Sequence, residues 1–431
     1  MSGTQRSILI STQLRQIAEQ AIAHPDRVFT SLIHRMDFDF LREAFYELRR
    51  DGAPGLSGIT VRDYEKDLEA NLKDLHERLT ERTYVAPPIK RVWIDKDNGK
   101  KRPIGLTEIE DKIVQKAVSM LMGAVFEQDF LPSSYGFREG RNAHDALAYL
   151  REQCMTHGIR WIYDADITGF FDNLDWSWLR EFIQRRINDG GVLRLIGKWL
   201  NAGIMEGEEI SYSEKGTPQG GVISPMLANI YLHYALDVWF EETVKAHCKG
   251  QAYLCRYADD FVCAFECESD AERFYRALGA RMASFGLEVA EEKTNLLRFS
   301  RQDWRRSGTF EFLGFEFRWG RGRWGKPVLK RRTARKKYRA ALASFQDWCR
   351  EHCRMPKKKL FAALNAKLRG YYNYYGIRGN SESIGDFFYQ VTRMLYRQLN
   401  RRSQRRSYNW KGFAELIKAF KLARPHICHN F

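Results

Sequence analysis

Tyr253-Leu254-Cys255-Arg256-Tyr257-Ala258-Asp259-Asp260-Phe261-Val262-Cys263-Ala264-Phe265 is the stretch whose reading decides the fold. Two adjacent aspartates interrupt two apolar, strand-like flanks. Aspartate is a poor strand residue and is costly to bury unpaired. A solvated hairpin tip would accommodate them, but tips of plain structural purpose usually carry Asn-Gly or Asp-Gly. The pattern therefore predicts a hairpin over 253–265 whose buried strands deliver carboxylates to a cleft.

Two further signals lie upstream. Residues 160–167, Arg-Trp-Ile-Tyr-Asp-Ala-Asp-Ile, read as a strand ending near Asp166, followed by Thr168-Gly169-Phe170-Phe171-Asp172-Asn173. A carboxylate leaving one strand and a pair on a neighbouring hairpin can converge. Three such oxygen-bearing side chains suit two Mg²⁺ ions. Ions about 3.5–4 Å apart activate a 3′-hydroxyl and stabilise a leaving pyrophosphate. The other signal is Lys215-Gly216-Thr217-Pro218-Gln219-Gly220-Gly221-Val222-Ile223-Ser224-Pro225. Its glycines let backbone approach a ligand closely, although a structural Gly-Pro loop would look the same.

Around these signals the chain alternates helices and strands. Helical spacing runs through Phe38, Leu41, Ala44, Phe45 and Leu48, through 62–79, and through 108–128 on Ile113, Ala117, Met120, Leu121 and Ala124. Residues 89–94 and 101–106 read as a hairpin about Asp97-Asn98-Gly99. Leu179, Phe182, Ile183 and Ile187 predict a helix capped by Asp175 and closed by Gly190-Gly191. Further helices are expected after the second glycine stretch, over 270–285, and through most of the last 100 residues. Interleaved elements about one core make the class α+β or α/β.

Composition narrows the partners. The chain has 431 residues and a net charge of +16, but the charge is split. Residues 318–431 hold 29 Lys/Arg and 5 Asp/Glu, a net of +24; residues 1–317 carry a net of −8. One segment thus suits a polyanion. Arg393, Arg397 and Arg401 share a face beside the apolar stripe Phe387, Phe388, Val391, Met394, Leu395 and Leu399. No apolar run is long enough for a membrane span, and the polar start lacks a signal-peptide core. Eight scattered cysteines without a CxxC pair fit a reducing, cytoplasmic compartment. The groups Cys349/His352/Cys353 and His426/Cys428/His429 match no common zinc module.

The three central signals, in this order, resemble motifs A, B and C of reverse transcriptases, with Tyr257-Ala258-Asp259-Asp260 similar to the YxDD box and Gly216–Pro225 similar to the TPQGGxxSP box. The likeness extends to the group II intron lineage. Residues 52–58, Gly-Ala-Pro-Gly-Leu-Ser-Gly, resemble its N-terminal segment, and Ser134–Leu147 resembles its GFRPGR block, with Glu139 where proline is usual. Glu291–Thr294 resembles motif D, Phe312-Leu313-Gly314-Phe315 the motif E primer grip, and Leu364–Tyr375 the maturase, or thumb, segment.

The resemblance implies an α+β right-hand polymerase fold: an N-terminal extension over 1–60, fingers over 61–158, a ferredoxin-like palm over 159–318 and a basic helical thumb over 319–431. It implies that Asp166, Asp259 and Asp260, with the carbonyl of Ile167, hold two Mg²⁺, with Mn²⁺ as the alternative ion. Lys101 and Arg102 would contact the triphosphate, Phe171 would exclude a 2′-hydroxyl, Gln219 would line the nascent base pair, and Lys293 would assist the leaving pyrophosphate. Tyr257, Phe312, Leu313, Gly314, Arg393, Arg397 and Arg401 would touch primer and template.

The implied activity is RNA-directed DNA synthesis from dNTPs on an RNA template with a DNA primer, in the cytoplasm of a bacterium. Three biological settings stay open. The first is an intron-encoded maturase that also binds intron RNA. The second is a free-standing enzyme of DNA repair, phage defence or a CRISPR-associated system. The third is a non-catalytic RNA-binding splicing factor, against which the intact aspartates argue. Past Pro425 the sequence shows neither the DNA-binding region nor the HNH endonuclease of longer intron proteins, so second-strand cleavage is not expected of it.

Overall fold

The computed structural model describes residues 3–95, 101–217, 220–290, 292, 294–322, 324–401 and 407–431. The chain divides into two compact units. One holds residues 1–142, 165–261 and 272–294; the other holds 143–164, 262–271 and 295–431. The division follows packing rather than chain order, so it does not fall at the sequence-derived borders 60, 158 and 318.

The strands are β1 (Ile89–Asp95), β2 (Lys101–Leu106), β3 (Trp161–Asp166), β4 (Ile204–Glu206), β5 (Glu209–Ser211), β6 (Ala252–Tyr257), β7 (Asp260–Phe265), β8 (Asn295–Arg298), β9 (Phe310–Phe312), β10 (Phe315–Arg321) and β11 (Pro327–Thr333). They form three sheets, ordered β6-β7-β3-β8, β2-β1-β4-β5 and β11-β10-β9. The expected hairpin over 253–265 is therefore β6–β7, and the strand before Asp166 lies beside it as β3. In β7, Phe261 to Phe265 are all 0% exposed. A strand buried on both faces reads as a continuous apolar run rather than an alternation.

In the first unit the helix Ile109–Phe126 is buried on more than one face. Besides the expected Ile113, Ala117 and Leu121, it buries Val114, Val118, Met122, Val125 and Phe126, while Met120 and Ala124 are only half-buried. Each such aliphatic or aromatic side chain contributes roughly 1.5–3 kcal/mol of transfer free energy. Asp175 caps the helix Trp176–Gln184 as expected, accepting from the N–H groups of Ser177 and Trp178. That helix ends earlier than its apolar spacing suggested. Gly190-Gly191 does not close it but opens the next helix, Gly190–Leu200, because Asp189 accepts from Gly191 N and Val192 N. An Asp cap supplies what the glycines cannot, an acceptor for the orphan N–H groups.

After the glycine-rich box comes the helix Ser224–Leu232, which continues as π-helical turns His233–Asp237 and Trp239–Val244. In the second unit, strands β10 and β11 occupy the start of the segment expected to be a basic helical thumb over 319–431. Four helices follow, Arg335–His352, Lys357–Tyr375, Ser381–Asn400 and Trp410–Ala419. They share a core that includes Phe345, Leu364, Tyr372, Phe387, Val391 and Leu399. Among the described residues no helix is long and apolar enough to cross a membrane.

Candidate active site

The link between β6 and β7 is only Ala258-Asp259. Ala258 has φ +59°, the sign a two-residue hairpin wants at its first loop position. For a residue with a Cβ this left-handed conformation costs about 1–2 kcal/mol. The cost is offset by an arginine directly beneath. Arg256 is 0% exposed, and its guanidinium is fully paired. Nε donates to Asp237 Oδ1 at 2.7 Å and Nη2 to Asp237 Oδ2 at 2.5 Å; Nη2 also reaches Ser134 Oγ at 2.8 Å. Nη1 donates to Asn229 Oδ1 and to the carbonyl of Ala258, both at 3.0 Å. Five N–H groups meet five acceptors, which is the full capacity of the side chain.

The partners come from separate segments. Asp237, itself 0% exposed, sits at the end of the first π-helical turn, where the changed helical register places it under β6. Ser134 belongs to the segment that runs beside β6, where Arg256 N donates to Ser133 O and Tyr135 N to Arg256 O, each at 2.8 Å. Next to it, Gly136 lies so close that a Cβ there would stand 2.3 Å from Ala258 N. Asn229 Nδ2 secures the carbonyl of Gly136 at 2.8 Å. Two quoted motifs, the Tyr257–Asp260 box and the start of the Ser134–Leu147 block, thus meet at one turn, and the residues that join them there belong to the first unit.

The turn carries the carboxylates. Burial pushes the Asp259 carboxyl above its ordinary value; the negative charge of Asp166 pushes the same way, and the positive charges of Arg102 and Arg256 oppose. Asp259 therefore lies within electrostatic reach of Asp166, Arg102 and Arg256. Asp260 opens β7, and all three aspartates are half-buried. Ile167 bridges Val289, with Thr168 N donating to Glu288 O and Ala290 N to Asp166 O, both at 2.8 Å. Such a pairing turns Ile167's own N–H and C=O away from Val289.

Phe171 lies on the short helix Phe170–Asn173 and is 9% exposed. The glycine-rich box docks on that helix through its backbone: Thr217 N donates to Phe171 O and Gly216 N to Leu174 O, both at 2.7 Å. Gly216 has φ +86°, and a Cβ there would stand 2.7 Å from Asp172 O, so only glycine fits. Lys101 and Arg102 are exposed at the start of β2. A cavity of about 420 Å³ is lined by Pro103 and Gly105 of that strand, by Asp172 and by Lys215–Thr217, but by none of the three aspartates. Gln219 and Lys293, as well as the turn Asp97-Asn98-Gly99, lie outside the described residues.

In the second unit, Phe312 and Phe315 pair across a two-residue turn in which Leu313 and Gly314 both have positive φ, +49° and +77°. The Tyr374 hydroxyl holds Leu313 O at 2.8 Å, and Ala334 N holds Gly314 O at 2.9 Å. On the helix Ser381–Asn400, Phe387, Val391, Leu395 and Leu399 of the expected stripe are buried, while Phe388 and Met394 are half-buried. Arg393 is half-buried with its guanidinium 5.5 Å from the Tyr389 ring centre; Arg397 and Arg401 are exposed.

Among the described residues no three His, Cys, Asp or Glu side chains form a closed metal-binding group. An open carboxylate pair is nonetheless a fit for Mg²⁺, which keeps waters and substrate phosphates and rarely uses an all-protein cage. The mutual repulsion of Asp166 and Asp259 is what a divalent cation would relieve.

A family model described as reverse transcriptase (RNA-dependent DNA polymerase) matches residues 94–317. The chain belongs to the reverse transcriptase family. The group II intron-encoded protein LtrA of Lactococcus lactis subsp. cremoris is 35% identical over 222 residues, which cover 51% of this chain and 37% of that protein. The protein YkfC of Escherichia coli is 32% identical over 287 residues, 59% of this chain and 75% of YkfC. The nuclear intron maturase 1 of Arabidopsis thaliana is 31% identical over 87 residues, 20% of this chain and 12% of that maturase. The chain thus spans little more than a third of the Lactococcus relative. Members of the reverse transcriptase family use divalent metal ions. Within this family frame, sequence reasoning missed Arg256, Asp237 and Asn229. A charged residue inside an apolar strand was the available signal for Arg256, since burial demands a partner.

Proposed function

We propose that this chain is an RNA-directed DNA polymerase of the group II intron type, with a role in intron RNA splicing. The observation that carries the reading is the anchored turn Ala258-Asp259, whose carboxylate lies within electrostatic reach of Asp166 and Arg102. Asp166, Asp259 and Asp260, with the carbonyl of Ile167, would hold two divalent ions. When bound, these supply activation of the primer 3′-hydroxyl and charge neutralisation on the leaving pyrophosphate.

The remaining work falls to the chain itself. Arg102 presents a guanidinium fork to the triphosphate, with Lys101 as a second charge. Phe171 lies under the incoming sugar and leaves no room for a 2′-hydroxyl. By the family likeness alone, Gln219 would serve the nascent base pair and Lys293 the leaving group. Tyr257 in the first unit and the Phe312–Gly314 turn in the second would each be a primer contact. Arg393, Arg397 and Arg401 take backbone phosphates of the template–primer duplex, reading charge and shape rather than sequence. In the right-hand arrangement, β1–β2 belong to the fingers, β3, β6 and β7 to the palm, and the C-terminal helices to the thumb. The names of the Lactococcus and Arabidopsis relatives support the splicing role.

Primer extension on poly(rA)/oligo(dT) with Mg²⁺ tests the reading. Wild type extends the primer, and Asp259→Ala, verified as folded by circular dichroism, does not. Equal extension by both proteins overturns the mechanism. An intron domain V hairpin in the DNA flanking the gene would support the splicing role.

A further inference from the structure

The second unit contains an arginine whose environment is the reverse of Arg256's. Arg331, on β11, is 1% exposed. Its Nη2 donates to the carbonyl of Phe431 at 2.7 Å, and its guanidinium lies 4.6 Å from the Phe431 ring centre. Nε and Nη1 are buried without a hydrogen-bond acceptor among the described residues. Burial and the charge of Arg151 lower its pKa to about 10. A buried guanidinium with two idle donors and a like charge beside it is costly to keep.

That arginine lines a cleft of about 660 Å³. Eight of the eighteen residues lining the cleft are Arg or Lys, and two, Glu382 and Asp386, are acidic. Asp386 is engaged by the Tyr338 hydroxyl. Arg332 is neutralised by Glu316 at 2.6 Å. Arg335, Arg339 and Arg378 are exposed at the rim. The first turn of the helix Ser381–Asn400, with Ser381 and Ser383, adds backbone and hydroxyl donors to the same cleft. Arg393, Arg397 and Arg401 are not among its walls.

We propose that this cleft is a phosphate-binding site, in which Arg331 and the rim arginines enclose one phosphate group. Guanidinium forks suit a tetrahedral oxyanion, whose oxygens can accept from more than one fork at once. The phosphate is supplied either by an RNA backbone or by a free phosphorylated small molecule; the recognition chemistry is the same. The site lies outside the residues assigned above to polymerisation and does not depend on that assignment.

The test measures thermal melting of the whole chain in inorganic phosphate against chloride at equal ionic strength. Phosphate in excess of its dissociation constant is expected to raise the wild-type midpoint by about 2–4 °C over chloride. Arg331→Met gives up the hydrogen bond and the ring contact to Phe431 and is expected to lose the phosphate response. Arg378→Gln, at the exposed rim, is expected to weaken that response and serves if Arg331→Met does not fold. An equal phosphate response in wild type and variants, or none beyond chloride in wild type, overturns the site. Binding of a single-stranded RNA oligonucleotide then separates the sources. Weaker RNA binding by the variant, with competition by phosphate in wild type, assigns the site to an RNA backbone. Unchanged RNA binding with a lost phosphate response assigns it to a small phosphorylated ligand. Primer extension is not a readout here, so a failed polymerase reading leaves this result standing.

Discussion

Replacing Arg256 with methionine keeps the apolar stem of the side chain and removes its five donors. It leaves Asp237, at 0% exposure, as a buried carboxylate without its partner, and it orphans Asn229 Oδ1, Ser134 Oγ and the carbonyl of Ala258. Breaking a fully buried ion pair from one side costs about 3–5 kcal/mol. Removing both charges together, as Arg256→Met with Asp237→Leu, leaves no unpaired charge and is expected to recover most of that loss. Urea denaturation followed by tryptophan fluorescence, with each variant compared at its own midpoint, reads the difference. Primer extension reads something else. Ala258 O loses its anchor in the double variant too, so its rate is expected to stay about 100-fold or more below wild type, as for a catalytic group misplaced by about 1 Å. The reasoning is refuted if the double variant is destabilised by the sum of the two single variants, or if its extension rate matches wild type.

Three further outcomes are expected. Gly136→Ala drives a Cβ to 2.3 Å from Ala258 N, so primer extension falls about 100-fold while circular dichroism stays native; a wild-type rate would contradict the close approach. Phe171→Ala opens the sugar pocket and raises ribonucleotide use relative to dNTP use by at least about 10-fold, measured as the ratio of kcat/KM values, and an unchanged ratio removes Phe171 from that role. Burial pushes Asp111, which accepts from the Tyr84 hydroxyl, up to about 7. Because the folded state holds that proton more tightly, its contribution is complete below about pH 4 and is lost as pH rises through 7. Wild type should therefore lose about 2–4 kcal/mol relative to Asp111→Asn between pH 4 and 8. A pH-independent difference in urea midpoints would refute that assignment.

The parts of the fold that were legible from sequence are those where one local pattern decides the outcome. The run Phe261–Ala264 could only be a buried strand once Asp259-Asp260 was placed at a turn, and Asp175 announced its helix by its own side chain. The Gly190-Gly191 pair misled because glycine ends helices as readily as it tolerates their start; the deciding residue was Asp189, whose carboxylate also accepts from Leu32 N at 2.5 Å and Ile33 N at 2.9 Å, more than 150 residues away. Strands β10 and β11 were obscured by their own composition, since Lys330, Arg331 and Arg332 interrupt the apolar alternation of a strand inside a segment read as a basic helical thumb. The aspartates were legible at the site, but the means of aiming them was not. Arg256 finds Ser134 across 122 residues, and Asp237 reaches it only because the helix slips into π turns, a register that a 3.6-residue periodicity does not contain.

The glycine-rich box has a consequence for how the enzyme can change over time. It meets the helix of Phe171 through main-chain hydrogen bonds at Gly216 and Thr217, and it meets β2 at Gly220, where a Cβ would stand 2.6 Å from Gly105 O. At these points the box meets its neighbours through main-chain atoms. Side chains around these junctions can therefore be exchanged without moving the backbone that carries them. A scaffold joined in this way is free to drift in substrate preference while its frame stays fixed, so variation should collect at Phe171 and its neighbours rather than at the glycines.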